Sequence, residues 1–506
     1  MQPYDLLVIG GGINGTGIAR DVAGRGLSVL LVEKDDLGAH TSSASSRLIH
    51  GGLRYLEHYE FRLVSEALAE REVLLRMAPH IIHPLRFILP HAAHLRPAWV
   101  IRVGLFLYDR LGGRSSLPRS KGVSLHRGAL ANILQRQFRR GFEYHDAWVD
   151  DARLVALNAR GAADKGATIR THTACTAAHR AGGHWRIELL DQRLRKTFHV
   201  TARAIVNAAG PWAERVVNDV TRTPASGRLR LVKGSHIVVG KLYEGAHAYI
   251  LQNEDQRIVF LLPYLPGLTV IGTTDLAIDH PDVESKSSPQ ETAYLLDVAS
   301  RYLQVDVRHA PVLDSWAGVR ALYDDGESDP SAVTRDYRLI LDDGVPPLLT
   351  VFGGKITTYR KLAEQAFTRL APWFPNAGPA WTAREPLPGG DLGGQRHETF
   401  IIAMQRKYAG LDPTFVAALA ARHGAIVAAI LGHVKTMADL GEHFGGNLYA
   451  IEVRYLQDHE WAASAEDVLW RRTKEGYAFT PSQVGRLREW MSDAISEKFS
   501  LAQDRP

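Results

Sequence analysis

The sequence predicts an α/β fold in which two subdomains are intertwined, followed by a C-terminal domain made almost wholly of helices. Three observations predict it. A strand–helix–strand unit opens the chain, strand-like runs alternate with loops from about residue 84 to residue 349, and the composition changes after the turn-rich stretch 386–390. The length of 506 residues, with 45% hydrophobic and 23% charged residues, suits about three globular domains.

The strand–helix–strand unit is defined by its apolar pattern. Residues 6–9 form a short apolar run that ends in glycines, which is typical of a buried parallel strand. A helix is predicted over 13–23, and a second strand over 28–32 ends at Glu33. Residues 61–78 carry apolar side chains at helical spacing and predict the next long helix.

The middle of the chain contains several short strand-like runs separated by loops and a few helices. These runs lie at 204–206, 235–239, 258–262 and 268–271. Because elements of both kinds are interleaved along the chain, we expect two intertwined subdomains instead of two consecutive ones.

Helical patterns dominate after residue 390. The last helix has clear start signals, with Thr480 as N-cap, Pro481 at the first helical position and Gln483 completing a capping box. An apolar stripe then follows on one face of this helix. It consists of Val484, Leu487, Met491 and Ile495.

The composition excludes several classes of protein. The 60 Lys and Arg against 55 Asp and Glu contain no block of five or six consecutive charges, so no nucleic-acid partner is predicted. The single cysteine, Cys175, excludes a disulfide framework and a cysteine-rich metal site, and the 22 histidines include no HExxH pair, so no metal is predicted. We expect no signal peptide, because strand-like residues begin at Tyr4, and no apolar run of the roughly 18 residues that cross a bilayer.

A glycine-rich turn joins the first strand to its helix and matches the pattern G-x-G-x-x-G. Gly10 permits the tight turn, Gly12 lets the backbone approach a pyrophosphate, and Gly15 allows close packing of helix on strand. Glu33 ends the second strand, where a carboxylate accepts hydrogen bonds from ribose hydroxyls and repels a 2′-phosphate. The motif predicts a dinucleotide site but does not separate NAD from FAD. A glycine turn without a ligand is the alternative.

A second loop suits a long, fixed cofactor. Residues 41–47 are rich in hydroxyl groups, and Gly51 and Gly52 form another glycine pair that permits close approach. The alternative interpretation of this stretch is an ordinary surface turn.

Several long motifs resemble the FAD-dependent, aerobic glycerol-3-phosphate dehydrogenases of bacteria. The longest is the run TSSASSRLIHGGLRYL at 41–56, and the shorter ones lie at 207–212, 233–236, 271–275, 352–360 and 469–474. Where Ala-Thr-Gly is familiar in the family, this chain has Ala208-Ala209-Gly210. The resemblance extends over essentially the whole chain.

The resemblance implies the cofactor, the reaction and the domain organisation. FAD would oxidise the C2 hydroxyl of sn-glycerol 3-phosphate to give dihydroxyacetone phosphate, with hydride transfer to flavin N5 and electrons passing to a membrane quinone. The implied fold is glycine-oxidase-like: a Rossmann-like FAD-binding domain interleaved with an antiparallel-sheet substrate domain, plus an all-α C-terminal domain. The predicted ranges are 1–83, 145–235 and 320–385 for the first, 84–144 and 236–319 for the second, and 386–506 for the third.

The glycine motif and the resemblance together indicate the residues that hold FAD. They are Gly10, Gly12, Asn14, Gly15, Glu33, Thr41, Ser42, Ser46, Gly51, Gly52, Leu53, Ala209, Gly210, Gly353, Gly354, Lys355 and Thr357. The segment from Gly353 also precedes a predicted helix, whose N-terminus would stabilise an anionic reduced flavin.

A phosphate-bearing substrate needs fixed cations, and arginine offers bidentate geometry. With the resemblance, the candidates for substrate binding are Arg54, Tyr55, Arg320, Arg335 and Lys355. Each cation also has an ordinary interpretation as a surface salt-bridge partner.

Alcohol oxidation also requires a base for the hydroxyl proton, and a histidine has a pKa close to working pH. His236 is the first candidate and His50 the second, while Arg320 is a candidate for steadying the developing alkoxide. A histidine hydrogen-bonded inside the core is the alternative for either one.

Residues 97–111 predict an apolar, aromatic helix, and the wider segment 95–119 contains five arginines and one aspartate. This combination suits a helix that lies on an anionic lipid surface. We therefore expect a cytoplasmic protein associated peripherally with the inner face of the cell membrane. A buried helix is the alternative.

Two other functions remain open on the sequence. One is a related flavin oxidase that passes electrons to oxygen, with glycerol phosphate or an amine as substrate. The other is an FAD-stabilised scaffold that recruits a partner. A homodimer is compatible with the sequence.

Overall fold

Two β-sheets and a C-terminal helical domain make up the fold. The structure, a computed structural model, describes residues 2–92, 95–223, 227–255, 257–324 and 336–503. The first elements are β1 (Gln2–Ile9), α1 (Ile13–Gly24), β2 (Val29–Val32), β3 (Leu48–Ile49), α2 (Phe61–Met77), β4 (Ile82–Pro90), α3 (Ala98–Leu111), β5 (Lys121–Ser124), β6 (Arg140–Val149), α4 (Asp151–Asp164) and β7 (Thr168–Arg170).

The central elements are mostly strands. They are β8 (Thr173–Ala181), β9 (His184–Asp191), β10 (Lys196–Asn207), α5 (Ala213–Arg215), β11 (Leu229–Gly240), β12 (His247–Gln252), β13 (Ile258–Pro263), β14 (Leu268–Gly272), β15 (Leu276–Ile278), α6 (Pro289–Tyr302) and β16 (Val312–Tyr323).

The remaining elements complete the first sheet and form the C-terminal domain. They are β17 (Arg338–Asp342), β18 (Leu348–Phe352), α7 (Tyr359–Leu370), α8 (His397–Lys407), α9 (Pro413–His423), α10 (Val427–Leu431), β19 (His443–Gly445), β20 (Leu448–Tyr449), α11 (Ala450–His459) and α12 (Pro481–Gln503).

The first sheet has the order β17-β18-β10-β1-β2-β7, and its central pairs are parallel. Every residue of β2 is buried, as expected for a parallel strand covered on both faces. Helices α1, α4 and α7 contribute apolar side chains to the same core as β1 and β2. The predicted strand–helix–strand unit is therefore present at the start of this sheet.

The second sheet has the order β15-β11-β14-β13-β12-β4-β6-β3, with β16 added beside β11 and β5 beside β6. Its pairs are antiparallel except for β4 with β12. The strand-like runs predicted at 235–239, 258–262 and 268–271 lie in β11, β13 and β14 of this sheet. Helix α6 covers a core shared with these strands.

Four predicted domain boundaries fall inside strands of the second sheet. The boundaries at 83/84, 144/145, 235/236 and 319/320 divide β4, β6, β11 and β16. A strand shares one ladder of backbone hydrogen bonds with its neighbours along its length, so each of these boundaries divides a continuous ladder. The ends of these strands are more suitable positions, and the domain ranges stay predictions.

The C-terminal domain contains α8–α12 and the small hairpin of β19 with β20, and so is not purely helical. Thr480 caps α12 as predicted, because its Oγ1 accepts from the Gln483 N–H at 3.3 Å and Gln483 Oε1 accepts from the Thr480 N–H at 2.8 Å. In the predicted stripe, Leu487 and Met491 are buried.

One helical stretch, Pro413–Leu431, has the length and mean hydropathy of a membrane span, and half of its most apolar window is buried. Arg422 and His423 interrupt its apolar sequence, and Gly424 breaks it between α9 and α10 with a φ of +54°. Val416 and Val427 pack into the core of the C-terminal domain. Core packing therefore accounts for this stretch.

Candidate active site

The glycine turn after β1 is held by contacts that leave no room for side chains. Gly10 has a φ of +113°, and a Cβ atom there would lie 2.5 Å from the carbonyl oxygen of Ala208. A Cβ on Gly15 would lie 1.9 Å from the carbonyl oxygen of Gly10, so this glycine lets α1 pack against the turn. Gly12 is the N-cap of α1 and has no side-chain cap, which leaves the positive end of the helix facing the turn.

Glu33 closes the turn from the end of β2. Its Oε2 accepts from the Gly11 N–H at 2.6 Å, and its Oε1 accepts from the Asp35 N–H at 2.9 Å. Burial raises the pKa of Glu33, and these two N–H groups act in the opposite direction. Each oxygen keeps a second lone pair for a ribose hydroxyl, so the carboxylate can hold the turn and a ligand together.

The C-terminal domain clamps the loop that follows Glu33. Asp36 is 2% exposed and accepts a bidentate pair of hydrogen bonds from Arg472, at 2.8 and 2.9 Å. Arg471 adds a further bond to the same carboxylate at 2.5 Å. A second buried pair, between Arg153 and Glu460, also joins the two domains. Sequence reasoning missed this clamp, since nothing in the run at 469–474 indicates which carboxylate it meets.

A cavity of about 630 Å³ runs from the glycine turn along the edge of the second sheet. All the residues predicted to hold the cofactor line it except Gly15 and Gly51. Gly15 lies beneath the turn, as its packing role requires. Gly51 is buried behind the wall, where its N–H donates to the Tyr108 hydroxyl at 2.8 Å.

The residues of this cavity fit a flavin dinucleotide. One end meets the glycine turn, Glu33 and Thr173, and the other reaches Thr273 and Arg320, so the space is long enough to separate a nucleotide from a ring system. Between the ends, Asn14 donates to the Gly353 carbonyl at 3.1 Å, while its own Oδ1 is buried without a partner among the described residues. That oxygen is available to accept a hydrogen bond from a bound group.

Two predicted cations line the cavity without a carboxylate partner among the described residues. Arg54 and Lys355 belong to neither a salt bridge nor a side-chain hydrogen bond there. Lys355 Nζ lies 4.0 Å from the centre of the Tyr55 ring, which fixes the ammonium group by a cation–π contact. Tyr55, also predicted, thus contributes through its ring. Arg335 lies outside the described residues.

Arg320 also lines the cavity, but its donors are largely occupied. Its Nη1 is bonded to Asp275, and its Nη2 donates to Thr273 Oγ1 at 3.1 Å. Asp275 therefore orients this guanidinium and offsets its charge. The role of Asp275 was not predicted, although it lies in the motif at 271–275, because ion pairs between distant segments leave no local pattern.

The two candidate bases occupy different places. His50 lines the cavity, and its backbone N–H donates to Thr357 Oγ1 at 3.2 Å. His236 does not line the cavity; its ring stacks on Trp316 with centroids 5.3 Å apart, and its Nε2 lies 2.9 Å from Ser46 Oγ. Burial, with the charges of Arg320 and Arg47, lowers the pKa of His236 to about 3. Of these two candidates, His50 is the one that lines the cavity, because β11 directs His236 behind the Ser46 loop.

Two further contacts hold the hydroxyl-rich loop in place. Thr41 Oγ1 donates to the Val319 carbonyl at 2.8 Å and ties the hydroxyl-rich loop to β16. Ser42 Oγ accepts from the Ile13 N–H at 3.0 Å, so this loop reaches the first turn of α1. Thr357 lies just before α7, which begins at Tyr359, so the segment from Gly353 precedes a helix as predicted.

Comparison with family models places both parts of the chain. Residues 5–360 match the model of FAD-dependent oxidoreductases (DAO), and residues 380–499 match the C-terminal domain of alpha-glycerophosphate oxidase. The chain is 56% identical to a glycerol-3-phosphate dehydrogenase of Pseudomonas aeruginosa over 97% of this chain and 95% of the relative. It is 50% identical to a D-erythritol 1-phosphate dehydrogenase of Brucella abortus over 97% and 98%.

Solved structures agree on the fold. The glycerol-3-phosphate dehydrogenase of Bacillus halodurans, complexed with FAD, superposes with a TM-score of 0.76 at 27% identity, over 98% of this chain and 91% of the other. Glycine oxidase of Geobacillus kaustophilus superposes with a TM-score of 0.54 at 19% identity, over 73% and 94%. The glycine-oxidase-like fold class with a helical C-terminal domain is confirmed, and so is FAD as the cofactor. The chain belongs to the family of FAD-dependent glycerol-3-phosphate dehydrogenases.

Proposed function

We propose that the protein oxidises sn-glycerol 3-phosphate at its C2 hydroxyl to dihydroxyacetone phosphate. When bound, FAD supplies the acceptor for the hydride, at its N5 atom. The observation that carries this assignment is the pair of cations, Arg54 and Lys355, that line the cofactor cavity without a carboxylate partner among the described residues. A phosphate group whose charge is about −2 would compensate both of these cations.

The other residues of the cavity have distinct tasks in this proposal. Arg320, oriented by Asp275, faces the developing alkoxide, where a fixed positive charge lowers the barrier. His50 removes the hydroxyl proton. His236 stays neutral and supports Ser46 from behind the loop.

Anaerobic addition of glycerol 3-phosphate tests the function directly. We expect the visible absorbance of the bound flavin to be bleached within the mixing time of a stopped-flow instrument. If glycerol 3-phosphate left the flavin yellow while D-erythritol 1-phosphate bleached it, the substrate would be a longer polyol phosphate. That alternative is motivated by the Brucella abortus relative, which is 50% identical to this chain and is named a D-erythritol 1-phosphate dehydrogenase.

We propose a membrane quinone as the electron acceptor. A flavin oxidase that reduces oxygen is the second candidate, because the matched C-terminal family is described by an oxidase. The two are separated by the peroxide formed in air after substrate reduction. Stoichiometric peroxide formation without an added quinone would favour the oxidase.

Helix α3 supports a proposed association with the cytoplasmic face of the cell membrane. Leu105 and Tyr108 are buried, whereas Trp99 is 70% exposed and Val103 and Phe106 are about half exposed. Arg110 caps this face with its guanidinium carbon 3.5 Å from the centre of the Phe106 ring. Apolar and aromatic side chains flanked by arginines suit an anionic headgroup layer.

Sedimentation with anionic liposomes at low salt tests this surface. We expect the wild-type protein to sediment and Trp99→Ser with Phe106→Ser to remain in solution, while FAD content is unchanged. Equal sedimentation of both proteins would remove α3 from the proposal. The homodimer stays a prediction of the sequence.

A further inference from the structure

A second cavity, of about 650 Å³, lies between the part of the chain that contains the two sheets and the C-terminal domain. We name it the interdomain chamber. Ser43, Ala44 and Arg47 line it from one side of the loop 41–47, whereas Ser42 and Ser46 line the cofactor cavity from the other side. The loop therefore forms a thin wall between the chamber and the cofactor cavity.

Arg47 is a buried cation in the wall of the chamber, with 6% of its surface exposed. Its guanidinium carbon lies 4.4 Å from the Tyr264 ring centre and 4.7 Å from that of Trp316. Its Nε lies 3.7 Å from Asp151 Oδ1, beyond hydrogen-bond distance, and its Nε and Nη1 have no hydrogen-bond partner among the described residues. The Tyr264 hydroxyl is likewise buried without a partner in the described part of the chain.

Two adjacent groups that lack partners indicate that an acceptor belongs beside them. A buried donor without an acceptor costs about 1–3 kcal/mol, and more when it is charged. Within the chamber wall, Arg47 and Tyr264 both present such donors to the same region. A ligand oxygen would satisfy them.

The charges around Arg47 already balance without a ligand. Lys474 is 7% exposed, and its Nζ lies 3.2 Å from Asp150 Oδ1. Arg47 and Lys474 thus face the two carboxylates of Asp150 and Asp151. An additional anion would leave this buried cluster with an uncompensated negative charge, which low-dielectric surroundings disfavour. The missing acceptor is therefore an uncharged oxygen.

The other charges that line the chamber also balance, since Lys34, Lys286 and Arg471 stand against Asp282, Asp314 and Glu466. Five tryptophan and tyrosine rings line the chamber as well, and one of them, Trp470, is 39% exposed at its rim. The five are Trp212, Tyr264, Trp316, Trp470 and Tyr477. Tyr477 lies with its ring centre 5.0 Å from that of Trp470 and donates its hydroxyl to Asp314 at 2.9 Å, so it is held in place. Such walls favour a flat ring system.

We propose that the interdomain chamber binds an uncharged planar ring that carries a carbonyl oxygen. The carbonyl accepts from Arg47 and Tyr264, and the ring lies against Trp470 and Tyr477. Two sources share this chemistry: a quinone headgroup and a planar ketone or amide that takes no electrons. Binding itself goes beyond the proposed function, and only the role of a quinone as acceptor rests on it.

Equilibrium dialysis of the FAD-loaded protein tests binding with two probes. Menadione is an uncharged planar quinone, and 2-naphthoate carries a similar ring with a negative charge. We expect saturable binding of one menadione per chain, with Kd raised about tenfold by Arg47→Gln and about fivefold by Trp470→Leu. Ile402→Ala is the matched control, since Ile402 is 48% exposed on the same domain outside the chamber; its Kd should equal that of the wild type.

Several results would overturn the proposal. Menadione binding that is not saturable, tighter binding of 2-naphthoate than of menadione, or an unchanged Kd in Trp470→Leu would each do so. Trp470 lies at the rim, so that variant keeps the test decisive even where Arg47→Gln fails to fold.

A second measurement identifies the source and separates this proposal from the proposed function. If menadione reoxidises the substrate-reduced flavin and Trp470→Leu raises the menadione concentration needed, the ligand is a quinone. If menadione binds in dialysis but reoxidises nothing, the ligand belongs to the class that takes no electrons. Failure of glycerol 3-phosphate to bleach the flavin leaves the dialysis result intact and overturns the proposed function alone.

Discussion

The two ends of the cofactor cavity are built in different ways. At the nucleotide end, backbone atoms and buried groups fix the geometry: Gly10 and Gly15 leave no space for a Cβ, and Asp36 is clamped by Arg472. At the substrate end, long cationic side chains such as Lys355 do the work and remain partly exposed. We therefore expect damage at the first end to remove the cofactor and the fold together, and damage at the second end to remove the reaction alone.

The largest effect is expected from Gly15→Ala. The added Cβ would lie 1.9 Å from the Gly10 carbonyl oxygen, so α1 must move away from the turn. We expect purified protein with less than a tenth of the wild-type FAD content, measured from the flavin absorbance after denaturation. Gly240→Ala is the control, because a Cβ there meets nothing within 4 Å. Normal FAD content in Gly15→Ala would show that the turn is not as rigid as its contacts indicate.

The second effect concerns the clamp. Arg472→Ala leaves Asp36 buried without its bidentate partner, and breaking a buried pair typically costs about 3–5 kcal/mol. We expect a lower thermal midpoint and faster loss of FAD on dilution. Arg488→Ala removes an exposed ion pair with Glu466 in the same domain and should change neither quantity. Equal behaviour of the two variants would contradict the clamp.

The third effect concerns the substrate end, where we expect activity to fall without a loss of stability. Lys355→Met keeps the length of the side chain and removes its charge, which is worth about 1.5–3 kcal/mol in a charged hydrogen bond. We expect kcat/KM for glycerol 3-phosphate to fall about 10- to 100-fold while the thermal midpoint stays within a degree or two of wild type. Lys361→Met, on the exposed face of α7, is the control. A large loss of stability in Lys355→Met would place this residue with the rigid end instead.

The smallest effect shows which of the two histidines, His236 or His50, is the base. The folded state lowers the pKa of His236 to about 3, so stability present above the unfolded pKa of about 6.5 is lost as pH falls, by about 2 kcal/mol at pH 5. We expect His236→Gln to flatten the fall in thermal midpoint between pH 7 and pH 5 and to leave the pH profile of kcat in place. His50→Gln should alter the kcat profile and leave the midpoint. The reverse pattern would restore His236 as the base.

Sequence reasoning succeeded where local backbone rules decide the outcome. The glycine turn of α1 and the Thr480 cap of α12 follow from the conformations and donors of a few adjacent residues. The strand predicted at 204–206 was too short, because the rest of β10 (Lys196–Asn207) pairs with β9 in a hairpin that its apolar pattern does not show. Strand ends depend on partners, which one segment cannot specify.

The candidate site was predictable in its membership and less so in its geometry. The motifs correctly indicated that Arg54, Lys355 and His50 line the cavity, since each lies close to a glycine pair or a hydroxyl-rich loop. They did not show on which side of the Ser46 loop His236 lies, because neighbouring residues on a strand point to opposite faces of the sheet. The pair of Arg320 with Asp275 depends on two segments 45 residues apart and left no sign in either.

The clamp also has a consequence for biosynthesis. Arg472 follows Asp36 by 436 residues, so on the ribosome the nucleotide turn emerges long before its guanidinium partner has been made. Throughout that interval Asp36 has no Arg472 to pair with, because the C-terminal domain supplies this arginine only when translation is nearly complete. A truncated message would therefore yield a chain that keeps Glu33 against the glycine turn but lacks the guanidinium group that holds Asp36.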